Sequence, residues 1–156
     1  MGKASRRKAE KHSPQLTQML NRAVKKLGVN KSTTIRTDLP QHEKISHPLS
    51  ILLKAEIRED STLTEYKNVL NFIVAAWNIT QFEIDERPKA INDIVNSLHP
   101  KNKSIQSDMT NYLETLVKKK LTLFPNDKRV IVDCDVAFES NSFRIAAVAF
   151  SPEHPL

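Results

Sequence analysis

The strongest helical pattern in the chain is TLTEYKNVLNFIVAAWNI, residues 62–79. Thr62 and Glu65 have capping-box spacing, in which each side chain binds a backbone N–H of the first turn. Every residue from 72 to 77 is apolar, so the second half has no polar face. The pattern predicts a helix buried on several sides, with one face that repeats at steps of three and four: Leu63, Tyr66, Leu70, Ile73 and Trp77.

Two further helices are predicted after this central one. Pro88 begins the first, which ends at Pro100 and has inward positions at Ile91, Ile94, Val95 and Leu98. The second runs over Ser104–Leu121, and its predicted buried side consists of Ile105, Met109, Tyr112, Leu113, Leu116 and Val117. Its last turn carries three cations, which suit the negative end of the helix dipole: Lys118, Lys119 and Lys120.

Residues 47–58 fit two patterns. Their composition favours a helix that starts at Pro48 and has an apolar side at Leu49, Leu52, Leu53 and Ile57. They also alternate as a strand would, with apolar residues at Leu49, Ile51, Leu53, Ala55 and Ile57. We favour the helix and keep the strand as the alternative. Residues 79–84, ITQFEI, are expected to be extended.

The clearest strand signal is at the C-terminal end. Val130–Phe138 and Phe143–Phe150 flank a polar turn, ESNS, and a loop of Ser140 and Asn141 pairs Phe138 with Phe143. One face then carries Val132, Cys134, Val136, Phe138, Phe143, Ile145, Ala147 and Ala149. The other carries Ile131, Asp133, Asp135, Arg144, Val148 and Phe150.

A hairpin of two strands is marginal in water, so this one needs a further strand. The donor within the chain is expected in 29–46, 47–58 or 79–84, with 47–58 the leading choice. The alternative is a second copy of the protein, because an exposed strand edge has to be covered or paired. We expect the second copy, and hence a homodimer.

The positive charge is concentrated at the N-terminus. The whole chain has a net charge of +6, and residues 1–27 hold eight Lys and Arg against one acid. We therefore divide the chain into a basic flexible arm (1–13), an amphipathic basic helix (14–28), a linker (29–46) and a globular domain (47–156). The predicted fold class is α+β: a mainly helical domain around the helix 62–79, ending in the hairpin 130–138 and 143–150.

Basic residues on such an arm can neutralise phosphates and release counterions. The leading hypothesis is a non-catalytic, nucleic-acid-associated accessory protein of a larger assembly. RNA is favoured slightly over DNA, since no helix-turn-helix is recognisable. The predicted phosphate-binding residues are Lys3, Arg6, Arg7, Lys8, Lys11, Arg22, Lys25, Lys26, Lys118, Lys119 and Lys120. The alternative is a protein-binding module, such as an inhibitor, antitoxin-like or immunity-type partner, whose arm docks on an acidic protein.

An enzyme is the least favoured class. Asp133 and Asp135 lie two apart on a strand and could share a divalent cation, but a cross-strand pair with Arg144 explains Asp135 without a metal. The five histidines have no ligand spacing, and no phosphate-binding or dinucleotide loop is present. We therefore expect no cofactor, no metal and no catalytic residue.

No apolar run approaches the roughly 20 residues that span a bilayer. The first residues, MGKASR, lack the apolar core of a secretory signal, and Arg6 breaks the myristoylation pattern. The chain has one cysteine, Cys134, which we expect to be a buried small apolar residue. We predict a cytoplasmic protein without membrane association.

Overall fold

The computed structural model of the protein describes residues 39–99 and 101–151. In them, four helices precede a β-hairpin, so the predicted α+β fold class is confirmed. The helices are α1 (Ser46–Glu56), α2 (Leu63–Ile79), α3 (Arg87–Leu98) and α4 (Lys103–Leu123), and the strands are β1 (Val130–Glu139) and β2 (Ser142–Phe150). Short 3-10 turns occupy Gln41–Glu43 and Ile84–Glu86.

Helix α2 lies at the centre and contacts α1, α3, α4 and β1. The predicted capping box is present: the Thr62 hydroxyl accepts from the Glu65 N–H and the Glu65 carboxylate accepts from the Thr62 N–H, both at 3.2 Å. The buried residues are concentrated in the apolar second half: Leu70, Ile73, Ala76, Trp77 and Ile79. The central helix is therefore confirmed.

Residues 47–58 form most of helix α1, so the strand alternative was wrong. Leu52 decides between the two patterns, because it is 3% exposed beside Leu49 and Leu53, which are 0% exposed. Only a helical repeat places these three side chains on one side, since a strand would turn Leu52 to the opposite face. Residues 47–58 were the leading candidate within the chain for a third strand, and because they are mostly helical they cannot supply it.

Helices α3 and α4 are confirmed with small shifts in their ends. Two residues expected to be buried are exposed: Leu98 at 53% and Ile105 at 38%. Both lie at the turn between the helices, where Asn102 caps α4 by accepting from the Ile105 N–H at 3.2 Å. Assigning these two residues to the buried side was therefore wrong, because the core does not extend to this end of the helix pair.

Residues 79–84 are not extended, so that prediction was wrong. Helix α2 continues to Ile79, and the Thr80 hydroxyl donates to the Trp77 carbonyl at 2.6 Å, which closes the helix end. The Arg87 guanidinium donates to the Thr80 and Phe82 carbonyls at 3.1 Å each. These bonds fold the segment into a tight connection to α3, and it supplies no third strand.

The hairpin has the predicted register, with Phe138 opposite Phe143 and Val136 opposite Ile145. Its sheet has two strands within the described residues, and α1 and α2 contact it. Ser140, in the loop, has a φ of 54°, the left-handed region that favours glycine. Cys134 is partly buried against the core, which is less than the full burial expected of it.

One stretch of β1 departs from the predicted alternation. Ile131 pairs with Ala149 and Asp133 with Val148, so Val132 is an inserted residue without an opposite partner. The bulge shifts the faces by one residue, and Ile131 joins the core at 4% exposure. Assigning Val132 to the core face and Ile131 to the other was therefore wrong.

The predicted basic arm 1–13, the helix 14–28 and the first ten residues of the linker 29–46 lie outside the described residues. The final linker residues include the 3-10 turn and the start of α1. The core cluster runs in sequence from Ile45 to Ile145 and draws on all four helices and both strands.

Candidate functional site

Of the eleven residues predicted to bind phosphate, the structure describes three, the consecutive lysines at the end of α4. Because consecutive helix residues are turned about 100° from one another, the three side chains leave the helix in different directions. Lys118 is exposed, Lys119 is half-buried and Lys120 is 2% exposed. They do not form one basic surface.

Lys120 is part of the core. Its Nζ donates to the Asp127 carbonyl at 2.6 Å and lies 4.8 Å from the centre of the Trp77 ring. Burial lowers the pKa of Lys120; the Asp127 carboxylate acts in the opposite direction, and Arg87 adds to the lowering. The ammonium is engaged inside the fold, so Lys120 is not placed to meet a phosphate.

The Asp127 carboxylate is held by Arg129, whose Nε and Nη2 donate to it at 2.9 and 2.6 Å. Burial alone would raise the pKa of Asp127, but the Arg129 guanidinium outweighs it and the pKa lies below its ordinary value. Arg129 also donates from Nη1 to the Glu43 carbonyl at 2.6 Å. This bond ties the segment before α1 to the residue that leads into β1.

Lys119 joins α4 to the end of α1 through the Glu56 carboxylate. Tyr112, two turns earlier on α4, donates its hydroxyl to the same carboxylate at 3.2 Å. Burial, then the Glu56 charge and the hydrogen bond to it, raise the pKa of Tyr112 to about 12. Each effect favours the neutral phenol, which donates to Glu56.

This shift predicts a loss of stability in alkali. The folded pKa of Tyr112 is about 12 against an ordinary 10.0, so the unfolded chain releases this proton first as the pH rises. The stability that the neutral phenol contributes is complete below pH 10 and is lost toward pH 12, amounting to about 1–2 kcal/mol after allowance for partial exposure.

Urea unfolding at a series of pH values checks this prediction, with Tyr112→Phe as the comparison. The variant should lose less stability than the wild type between pH 10 and 12, since its phenyl ring has no proton to release. Other groups titrate there too, but they are common to both proteins. Parallel curves for the two proteins would contradict the prediction.

Asp133 and Asp135, the residues of the enzymatic alternative, use their carboxylates locally. Asp135 lies 3.8 Å from Lys67 on α2, and its Oδ1 accepts from the Val136 N–H at 2.8 Å. Asp133 Oδ1 accepts from the Cys134 N–H at 3.0 Å. Lys67, rather than the expected Arg144, is the cation beside Asp135. Among residues 39–99 and 101–151, no group of three or more His, Cys, Asp or Glu side chains is placed to hold a metal ion.

A shallow cleft of about 260 Å³ lies between α2 and β1 beside this carboxylate. Its walls are Lys67, Leu70, Asn71, Cys134, Asp135 and Val136. Of its charged groups, the Lys67 ammonium lies 3.8 Å from the Asp135 carboxylate, so these two are paired with each other.

Asn78 is the important polar residue that sequence reasoning missed. Its side-chain amide donates to the Ile131 carbonyl at 2.9 Å and accepts from the Ile131 N–H at 2.8 Å. Beside it, Trp77 Nε1 donates to the Arg129 carbonyl at 2.7 Å. The available signal was an amide next to Trp77 in the apolar half of a buried helix, where a polar group has to be hydrogen-bonded.

The other predicted phosphate-binding residues, from Lys3 to Lys26, lie outside the described residues. No protein-family model, curated protein or solved structure matches this chain. The helices in the described part are each too short or too polar to cross a membrane.

Proposed function

We propose that the protein is a non-catalytic nucleic-acid-associated accessory protein that binds phosphates through the basic residues at its N-terminus. One observation carries the proposal. Residues 1–27 hold eight Lys and Arg against one acid, while residues 28–156 hold 16 against 17. A cluster of this kind attracts a polyanion and gains affinity by releasing its counterions.

The contacts at the end of α4 reduce the number of candidate phosphate-binding residues. Lys119 is engaged by Glu56 and Lys120 by the Asp127 carbonyl, which leaves Lys118 exposed. The binding residues we propose are therefore Lys3, Arg6, Arg7, Lys8 and Lys11, with Arg22, Lys25 and Lys26 extending the patch and Lys118 as an outlying contact. RNA is our first choice of ligand, and a cytoplasmic location fits the single cysteine.

The test replaces five arm residues by Gln and measures binding to mixed-sequence RNA and DNA oligonucleotides at several salt concentrations. For single strands each neutralised phosphate contributes about −0.7 to the slope of log K against log salt. Loss of five such contacts should reduce the magnitude of that slope by about 3 to 4. The replaced residues are Lys3, Arg6, Arg7, Lys8 and Lys11.

A matched control removes the same charge from the folded part. It replaces five exposed basic residues by Gln: Lys54, Arg58, Lys89, Lys101 and Lys103. Both variants fall from a net charge of +6 to +1, so general attraction to a polyanion is reduced equally. Binding should fall far more in the arm variant, and an equal loss in both would contradict the assignment to the arm.

A wild-type protein that binds no oligonucleotide at low salt would refute the proposal. The second hypothesis then applies, in which the arm docks on an acidic protein. The ratio of absorbance at 260 and 280 nm after the first purification step distinguishes the two. A nucleic-acid binder carries excess absorbance at 260 nm, which a high-salt wash removes.

A further inference from the structure

The two edges of the hairpin differ in how their backbone groups are used. In an antiparallel pair, residues alternate between those bonded across the ladder and those whose N–H and C=O point away from the partner strand. The residues that flank a two-residue loop form the first bonded pair. By the observed register, the residues that point their backbone groups outward are Cys134, Val136 and Phe138 of β1 and their partners Ala147, Ile145 and Phe143 of β2.

Along the outer edge of β1, side chains accept from the outward N–H groups of Ile131, Cys134 and Val136. The outward N–H groups of Cys134 and Val136 donate to Asp133 Oδ1 and Asp135 Oδ1 at 3.0 and 2.8 Å. These bonds also confirm the outward orientation independently of the register. An incoming strand would have to break them and would meet two carboxylates.

Further along the same edge, Asn78 occupies both backbone groups of Ile131. Its amide presents one donor and one acceptor, as a residue of a neighbouring strand would. The bulge at Val132 then interrupts the spacing of the edge. Bulges and charges of this kind are the usual means of preventing a strand edge from pairing.

The outer edge of β2 has none of these features. Among residues 39–99 and 101–151, no backbone or side-chain group forms a hydrogen bond to the outward N–H and C=O groups of Phe143, Ile145 and Ala147. The strand SFRIAAVAF has no proline and no bulge, and Arg144 is its one charged residue. It is a regular, weakly charged edge with free donors and acceptors, which pairs readily with another strand.

We propose that two copies of the protein pair through β2, antiparallel about a two-fold axis at Ala146, to give a continuous four-stranded sheet. A two-fold axis at Arg144 would bring two guanidinium groups together. With the axis at Ala146, Arg144 lies opposite Val148 of the other copy and Ser142 opposite Phe150. The half-buried Val148 and Phe150 then gain cross-strand contacts.

A second copy covers this edge better than the chain's own linker does. The run with strand character in residues 29–38 is Thr34–Thr37, and four residues would leave more than half of the nine-residue β2 uncovered. Its Arg36 would also stand near Arg144. In a symmetric pair, the whole of β2 lies alongside β2 of the other copy. The proposed dimer does not depend on nucleic-acid binding.

The decisive variant is Ala146→Lys in the full-length chain, studied by sedimentation at low micromolar concentration. In the hairpin Ala146 lies opposite Asp135, so the new lysine gains a favourable partner within each copy. In the dimer the two lysines face each other across the axis, and like charges directly opposite are destabilising. The wild type should sediment at twice the monomer mass of 17.8 kDa, and the variant's dissociation constant should rise about tenfold or more.

The control is Ala137→Glu on β1. Ala137 is exposed and pairs with Arg144. Like Ala146→Lys, this change adds one charge to the face of the sheet that carries Asp135, and the new carboxylate has Arg144 as a partner within the hairpin. Ala137 lies on β1, away from the proposed interface, so the dimer should stay intact. Circular dichroism of both variants verifies that the fold is retained.

A mixing experiment tests the position of the axis. Ala146→Glu would face Asp135 within each copy, so it is combined with Asp135→Asn, whose amide oxygen can still accept from the Val136 N–H. This double variant should weaken the homodimer as Ala146→Lys does, and an equimolar mixture of the two should form a heterodimer in which Lys faces Glu. A monomeric wild type, an Ala146→Lys variant as dimeric as the wild type, or an Ala137→Glu variant that dissociates equally would each overturn the inference. Failure of the two charge variants to associate when mixed would overturn the axis at Ala146.

Discussion

Trp77→Ala should lower the free energy of unfolding by about 3–5 kcal/mol, the range for a large aromatic residue truncated in a core. Trp77 is 0% exposed, and its ring lies 6.0 Å from the Phe124 ring between centres. The same ring carries the Lys120 ammonium on its face, and its Nε1 donates to the Arg129 carbonyl. Truncation thus creates a cavity, removes a donor and takes away the ring that faces a buried cation.

Urea unfolding followed by far-ultraviolet circular dichroism measures this effect, because Trp77 is the one tryptophan of the chain and its fluorescence disappears with it. Trp77→Phe is the control, since it retains an aromatic ring but no N–H. The free energy of unfolding of Trp77→Phe should be lower than that of the wild type by about 1–3 kcal/mol, a smaller loss than in the alanine variant. A loss below about 1 kcal/mol for Trp77→Ala would contradict the central position of this residue.

Asn78→Ala should have the second largest effect and lower the free energy of unfolding by about 2–4 kcal/mol. The substitution leaves the N–H and C=O of the buried Ile131 without partners, and each such group costs about 1–3 kcal/mol when water does not reach it. Asn78→Asp keeps the acceptor for the Ile131 N–H and loses the donor to its C=O. The free energy of unfolding of Asn78→Asp should therefore lie between those of the wild type and the alanine variant.

The matched control is Asn71→Ala, on the same helix and exposed. It should change stability by no more than about 0.5 kcal/mol, as surface substitutions usually do. Trp77 fluorescence reports unfolding in the wild type and in the Asn71 and Asn78 variants, which all retain Trp77. Equal losses for Asn71→Ala and Asn78→Ala would show that the two bonds to Ile131 contribute nothing measurable.

The elements that could be predicted from the sequence are those with local causes. Thr62 and Glu65 fix the start of α2 within four residues of chain, and the two-residue loop fixes the register of Phe138 and Phe143. The helix over 47–58 was also the favoured interpretation. In each case neighbouring residues contain the information that determines the structure.

The errors arose where a distant group decides. The residues around Lys120 do not indicate burial, because the aromatic ring that its ammonium faces belongs to Trp77 on α2. Its acceptor in the turn after α4 is a backbone carbonyl, which every residue type has. Likewise, Val132 looks like any alternating strand residue. The bulge is seen in the pairing of the folded hairpin, where Ile131 is also bound to Asn78, 53 positions earlier.

The candidate site was less predictable than the fold. A sequence records that three lysines are consecutive, but not that Glu56 and the Asp127 carbonyl engage two of them. The charge asymmetry between residues 1–27 and the remainder is a property of the sequence itself, and it still carries the proposed function. The difference between the two hairpin edges, by contrast, can be recognised only from the hydrogen bonds of the folded chain.

The bonds from Trp77 to Arg129 and from Asn78 to Ile131 also bear on the order of folding. They join residues 52 and 53 positions apart, whereas the hairpin closes a loop of two. Closing a chain segment of that length costs about 3–4 kcal/mol of entropy before any contact is gained. If α3 and α4 form first, the flexible part of the segment is shorter. We therefore expect the bonds between α2 and β1 to form late, after these elements have their own local structure.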